Sequence, residues 1–380
     1  MALSNRPGKY RRQGVHDLYR LITLASRIAG KLNGTWWRRY GAGRYLAVSL
    51  AAVGVVVLAG CGELPQTIMQ PAGDDARIIL DLLVPILWIA LVILVAVVGF
   101  LVVSMVKYRY RPGNDGMPPQ IHGNTRLEIT WMTASALIVA VLAVMTFKTM
   151  SIRPEAPGPG ALIVEVTANQ WWWEFTYPEL DVVTANELYL PIGQEVDLRL
   201  ASNDVIHSFW FPSLSGKQDV VPGTVNRMNF VPEEIGVYPG QCAEFCGLAH
   251  GQMRMTAFVV SPAEFDRWVE MQQTGADPAL ATSPGAQVFQ INCAACHSIR
   301  GTAAAFGQIG PELTGIGART TLGAGVVNHT PETLAEWIRD PSQIKPGVLM
   351  PTLGVAVDDV PAALSEDDIT ALVNYLEQMR

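Results

Sequence analysis

Cys242-Ala243-Glu244-Phe245-Cys246-Gly247-Leu248-Ala249-His250-Gly251-Gln252-Met253 gathers two thiols, an imidazole and a thioether into one short stretch. These donors form a soft set, which favours copper over the hard cations. Three residues between the cysteines let both sulfurs converge from one loop and bridge a pair of metals. Such a pair needs a ligand from elsewhere in the fold. His207, in Asn203-Asp204-Val205-Ile206-His207-Ser208-Phe209-Trp210, is the remaining histidine of this segment. Two other readings stay open on the residues alone. One is a disulfide, which an oxidising compartment permits. The other is a mononuclear copper site, which would use one cysteine and leave a spare thiol.

Around the loop, residues 161–262 read as all-β. Leu162-Ile163-Val164-Glu165-Val166, Glu195-Val196-Asp197-Leu198-Arg199-Leu200 and Thr256-Ala257-Phe258-Val259-Val260 are β-rich runs separated by turn residues. A small sandwich or barrel is expected. Residues 153–160, rich in Pro and Gly, read as a linker leading into it. Upstream lie two apolar segments, Leu82–Val106 and Ile129–Phe147. The first gives ~37 Å of helix against a ~30 Å hydrocarbon core, and the second is near the lower limit for one span. Lys107, Arg109, Arg111 and Arg126 stand between them, so the positive-inside rule assigns that connection to the cytoplasm and everything after Met150 to the outside.

The first 44 residues are basic, and Tyr45–Leu58 is an apolar run too short to span, as in a signal peptide. Leu58-Ala59-Gly60-Cys61 resembles a lipobox, which implies acylation of Cys61; the plainer reading is a cysteine in an uncleaved helix. The basic stretch is longer than the ~15–30 residues of a whole ordinary signal. Residues 1–44 are therefore either an unstructured extension or lie upstream of the true start.

Bulk composition agrees with a membrane portion. Of 380 residues, 49 % are hydrophobic and only 16 % charged, and the length allows two or three domains. The net charge of −7 hides an asymmetry: about 27 acids and 10 bases from residue 155 onward, about 7 and 17 before it. No nucleic-acid partner is expected. Five cysteines, an odd number, do not fit a plain disulfide framework.

Downstream, residues 263–273 read as helix and Gly275-Ala276-Asp277-Pro278 as a linker. Residues 284–380 then turn helical, with 332–339 and 366–378 the clearest amphipathic segments. Cys293-Ala294-Ala295-Cys296-His297 is the Cys-x-x-Cys-His pattern of covalent haem attachment, in which two thiols add to the vinyl groups and the imidazole binds iron. A dithiol redox pair would want a βαβ pattern, absent here. Zinc would want a second Cys/His pair, and His329 is the one other candidate. Met350 sits in a loop with Pro346, Gly347 and Pro351, an unsuitable place for core filling.

Residues 284–380 resemble a class I cytochrome c, through the haem motif, Gly310-Pro311-Glu312-Leu313 and Met350-Pro351. The resemblance implies that Met350 is the sixth haem ligand opposite His297. A His/Met pair raises the potential and suits electron transfer. Residues from about 80 to 262 closely resemble subunit II of the haem-copper oxidases. The likeness lies in the hairpin, the His207-to-Cys242 separation and the whole loop from Cys242 to Met253. It implies a cupredoxin-like domain with the binuclear CuA centre. Cys242 and Cys246 would bridge, His207 and His250 would cap, and Met253 and the Glu244 carbonyl would complete the set. Met255 is a nearby decoy. The Glu244 side chain would face a magnesium site shared with subunit I.

The aromatic run Gln170-Trp171-Trp172-Trp173-Glu174-Phe175 should put Trp171 and Trp173 on one face and Trp172 on the other, one face core and the exposed ring at an interface. The resemblance makes Trp171 the point where electrons arrive. Asn169 and Trp172 depart from the family's usual His and Tyr. Glu128, in Leu127-Glu128-Ile129-Thr130-Trp131, is on physical grounds an interfacial charge. The resemblance makes it the mouth of a proton-uptake pathway. His122 and His329 read as loop residues without a role.

The expected architecture is multi-domain: a two-helix transmembrane hairpin, an all-β cupredoxin-like domain and an all-α cytochrome c domain. Residues 1–60 would be a signal or extension, 61–150 a linker and the hairpin, 151–262 the CuA domain, 263–283 a helix and linker, and 284–380 the cytochrome domain. The resemblance implies subunit II of a bacterial cytochrome c oxidase, an oxygen-reducing, proton-translocating enzyme whose oxygen chemistry lies on a partner subunit. Its partners would be subunit I, subunit III and an external donor to haem c. It would sit in the cell membrane as a two-pass protein with both metal domains outside. The alternative is a membrane-anchored electron-carrier or copper-handling lipoprotein acting without an oxidase.

Overall fold

The computed structural model describes residues 66–109, 116–117, 119–120, 122–152, 156–304, 307, 309–356 and 362–380. Cys61 and its lipobox lie outside the described residues, as does Arg111.

Among the described residues two apolar helices come first, α1 (Asp74–Lys107) and α2 (Thr125–Ile152), both long and apolar enough to cross a membrane. With 34 and 28 residues they exceed the expected spans; at 1.5 Å per residue they measure ~51 and ~42 Å. The excess in α1 is at its start, where Asp74 and Asp75 suit the positive end of the helix dipole. This first turn is docked on the β-domain. Asp74 accepts from the Val231 amide at 2.7 Å, and Asp75 from the Gly216 amide at 2.9 Å. Ala72 is held on both sides, donating to Ser213 and accepting from Glu233, each at 2.7 Å. Hydropathy misses these turns because they are polar and half in contact with protein.

The β-domain is a sandwich of ten strands: β1 (Leu162–Asn169), β2 (Trp172–Tyr177), β3 (Val182–Ala185), β4 (Glu187–Pro191), β5 (Val196–Ser202), β6 (His207–Trp210), β7 (Lys217–Val220), β8 (Asn226–Phe230), β9 (Gly236–Cys242) and β10 (Arg254–Val260). One sheet has the order β3-β2-β1-β5-β8 and the other β4-β10-β9-β6-β7. Alternation drives the packing. Val164, Val166 and Ala168 of β1 and Trp173, Phe175 and Tyr177 of β2 turn the same way and are fully buried between the sheets. The predicted strand runs thus fall within β1, β5 and β10, apart from Glu195, which precedes β5.

Helix α3 (Pro262–Thr274) closes one side of the sandwich. Ser261 and Glu264 form a reciprocal capping box at its start. Its Trp268 stacks on Tyr189 with centroids 4.5 Å apart and meets Tyr177 edge-on at 5.2 Å. The helix is therefore part of the sandwich core rather than a spacer. A 3-10 turn at Pro278–Leu280 follows.

The C-terminal domain contains α4 (Pro284–Asn292), the short ladder β11 (Thr321–Leu322) with β12 (Val327–Asn328), α5 (Pro331–Arg339), α6 (Pro341–Ile344) and α7 (Glu366–Leu376). Its core joins Phe289 of α4 to Leu334 and Ile338 of α5 and Ile369, Leu372 and Tyr375 of α7. His329 lies in a loop, as expected, with its ring bonded to the Arg319 carbonyl and to Glu377, each at 3.0 Å.

Candidate copper and haem centres

Strand β9 delivers Cys242 and strand β6 delivers His207, which are adjacent because Phe209 pairs with Cys242 across the two strands. The loop after β9 then turns back so that Cys246, His250 and Met253 face the same point. The Cys242 and Cys246 sulfurs are 3.7 Å apart. His207 Nδ1 stands 3.9 Å from the Cys242 sulfur, His250 Nδ1 3.5 Å from that of Cys246, and the Met253 sulfur 3.8 Å from Cys246. The Glu244 carbonyl oxygen lies 3.2 Å from the Cys242 sulfur. Met255, the decoy, is a buried residue of β10.

Asp204 sets the state of His207. His207 Nε2 donates to Asp204 at 2.7 Å, so Nδ1 is the nitrogen turned toward the thiols. Burial works against a charge on His207, but the bonds to Cys242 and Asp204 outweigh it and raise its pKa. The hydrogen bond from Cys246, with help from His207, holds the Cys242 thiol far below its ordinary value, while sharing with Cys242 and burial push Cys246 up.

Trp171 and Gln170 brace the loop from behind. The Trp171 indole donates to the Cys246 carbonyl at 3.0 Å and the Gln170 amide to the same oxygen at 2.7 Å. Their approach requires Gly247, with φ of 116°: a Cβ there would lie 3.0 Å from both the Gln170 Nε2 and the Trp171 ring. Trp173 meets His207 edge-on at 5.9 Å and is fully buried, while Trp172 faces the other way. Phe245 and Leu248 on the loop are 75 % and 77 % exposed. Glu244 turns its side chain back to the Phe245 amide at 3.1 Å.

At the haem motif, α4 ends on Cys293, whose amide still bonds Phe289 at 2.8 Å. The His297 amide bonds the Cys293 carbonyl at 2.9 Å, closing one tight turn over the motif. His297 Nδ1 donates to the Pro311 carbonyl at 2.8 Å, so Nε2 carries the lone pair. Burial lowers the His297 pKa and raises the Cys293 thiol to about 12. Gly310 makes room for the ring, since a Cβ would sit 2.5 Å from His297 Cε1. Met350 is half-buried in the loop after α6. At the membrane, Glu128 is in the first turn of α2 and accepts from the Asn124 amide at 3.3 Å.

Three family models match this chain: the transmembrane domain of cytochrome c oxidase subunit II over residues 65–149, its periplasmic domain over 180–260, and cytochrome c over 282–380. Cytochrome c oxidase subunit 2 of Alkalihalophilus pseudofirmus is 37 % identical over 349 residues, 89 % of this chain and 97 % of the relative. The chain belongs to the cytochrome c oxidase subunit II family. Its counterpart in Bacillus sp. strain PS3 is 31 % identical over 87 % of this chain and 96 % of its own. The solved periplasmic domain of subunit II from Bradyrhizobium japonicum is 28 % identical over 31 % of this chain and 96 % of that one, with a TM-score of 0.30. As a subunit II with a cytochrome c domain, the protein is a membrane-anchored part of a haem-copper oxidase, expected to pair with its catalytic subunit.

The two families imply copper and haem c, and the residues present fit both. His207, Cys242 and Cys246 bring ligand atoms within 4.8 Å of one another in a buried site, and His250 and Met253 extend that soft set. For haem, His297 offers a neutral, oriented nitrogen. Ile291, Ile309 and Leu349, close in sequence to the motif and to Met350, are large apolar side chains left exposed.

The residues that sequence reasoning missed are those acting between segments. Asp204, three positions before His207, was visible only as context. Lys345 and Glu187, 2 % exposed each, carried no sequence signal. Glu187 accepts from the Thr320 amide at 2.7 Å and hydroxyl at 2.6 Å, tying the haem domain to β4. Glu174 and Glu312 line a polar crevice of about 600 Å³ between the domains, where burial raises both carboxyls.

Proposed function

We propose that this subunit II receives electrons on its C-terminal haem and relays them through the copper loop to the haem-copper subunit that reduces oxygen. The observation that carries the reading is the buried cluster of His207, Cys242 and Cys246 ligand atoms, with His250 Nδ1 and the Met253 sulfur set against the Cys246 sulfur. Copper and haem c supply reversible one-electron chemistry when bound.

The chain's own part is to hold and orient. Cys242 and Cys246 through their sulfurs, His207 and His250 through Nδ1, Met253 and the Glu244 carbonyl would hold the copper. Asp204 keeps His207 in the correct tautomer. A cage on two strands and a braced loop keeps its geometry as charge changes, so little rearrangement accompanies each transfer. Cys293 and Cys296 would attach the haem, and His297, through Nε2, and Met350 would hold its iron. Trp171, bonded to the Cys246 carbonyl, is the point where electrons arrive at the copper loop.

Glu128, at the start of α2, serves the mouth of a proton path into subunit I, and Glu244 faces a magnesium site shared with that partner. Lys107, Arg109 and Arg126 between the spans put the hairpin connection inside and both metal domains outside. Subunit III and an external donor complete the assembly. The test is Cys246→Ser in the purified complex. Loss of the near-infrared copper band, with the haem c spectrum kept and turnover reduced at least ~100-fold, is expected. A retained band with normal turnover would sink the copper assignment.

A further inference from the structure

The segment from Asp340 to Met350, which contains α6, carries the haem domain onto the copper loop, and its Lys345 side chain is buried. Lys345 Nζ donates to the Trp171 carbonyl at 2.6 Å and to the Gly323 carbonyl at 3.0 Å. Both acceptors are neutral, so the ammonium has hydrogen bonds but no countercharge in them, a costly arrangement for a buried charge. Burial accordingly depresses the Lys345 pKa to about 7. The neighbouring residues lie equally close. Gln252 Nε2 donates to the Ile344 carbonyl at 3.2 Å, and a Cβ on Gly347 would be 2.7 Å from the Leu248 side chain. Trp171 in turn bonds the Cys246 carbonyl through its indole. An unbroken hydrogen-bonded bridge thus runs from the haem domain through Lys345 and Trp171 to Cys246.

We propose that Lys345 is a positioning residue for the haem-to-copper step, pinning the loop that leads to Met350 onto the Trp171 carbonyl and so setting the spacing of the two centres. This inference rests on the electron-relay reading above. In the step, one electron is lost by the haem domain and gained at the copper loop; no bond is made or broken and no proton moves. A side chain placed for packing alone would be better replaced by an apolar one of the same length. Lys345→Met is that replacement, and it removes the donors.

Two measurements on the full chain test the pin. In hydrogen exchange without bound metal, the Lys345→Met variant should exchange the Lys345 and Val348 amides about tenfold faster, because their bonds to Pro341 and Lys345 lose their anchor. The Thr320 amide, which bonds Glu187 elsewhere in the interface, should keep its protection. In the loaded complex, an electron photoinjected into the haem should reach copper about tenfold more slowly, the scale of effect expected from slight misplacement, with both spectra unchanged. Unaltered exchange at Lys345 and Val348, or an unaltered rate, overturns the inference. Lost protection at Thr320 also overturns it, since Lys345 would then merely hold the interface. If the unmutated complex passes no electron from haem to copper, the relay reading itself fails.

Discussion

Two of the imidazoles, His207 and His297, are held through the nitrogen turned away from the candidate metal position, and the holder differs. His207 is held by a carboxylate, Asp204, and His297 by a backbone carbonyl, Pro311. A carboxylate raises ligand basicity more than a carbonyl does, so the copper centre depends more on its support. Asp204→Ala should therefore weaken copper binding ~10–100-fold, measured by competition with a chelator, while the haem spectrum stays as it is. Unchanged affinity would mean that the strand alone orients His207. At this scale the thiols, His250 and Met253 were readable because they share one short loop, and His207 by elimination. Asp204's contact with the Gln170 amide, at 2.6 Å, joins residues 34 apart, and Lys345 reaches Trp171 across 174 positions. No local spacing encodes such pairs.

The elements differ in how openly they announce themselves. Strands β1, β5 and β10 follow the period of two, because one face is core. The start of α1 was hidden by Asp74, Asp75 and Asp81, which look like loop residues until the sandwich is present to receive the first two. Helix α3 was seen as a helix but not as a wall, since its Trp268 partners, Tyr177 and Tyr189, belong to separate strands. Trp268→Ala should accordingly lower the stability of the copper domain by about 3–5 kcal/mol, as for a large aromatic removed from a core. A calorimetric scan would see the sandwich transition fall while the haem-domain transition moves far less. Equal shifts in both would mean that the helix belongs to the joint between domains.

At the scale of the whole molecule, the haem domain is joined to the sandwich by chain and by contacts at Glu187, Trp171, Gln252 and Arg254. A covalent joint raises the local concentration of one partner beside the other to a fixed value. Haem-to-copper transfer should thus be independent of protein concentration and nearly insensitive to salt, as flash photolysis over a range of dilutions would read. A rate that rises with concentration would place the step between molecules. The multi-domain order was legible because each module carries its own motif, whereas their mutual docking rests on hydrogen bonds between segments far apart in sequence. The docked first turn of α1 has a further consequence. An α-helix advances ~100° around its axis with each residue. With Asp74 and Asp75 fixed to the Val231 and Gly216 amides, the azimuth of every later side chain in α1 is dictated from outside the bilayer. One residue inserted between Asp75 and Asp81 would turn a different flank of the span toward its neighbour in the membrane, without altering the hydropathy of the span.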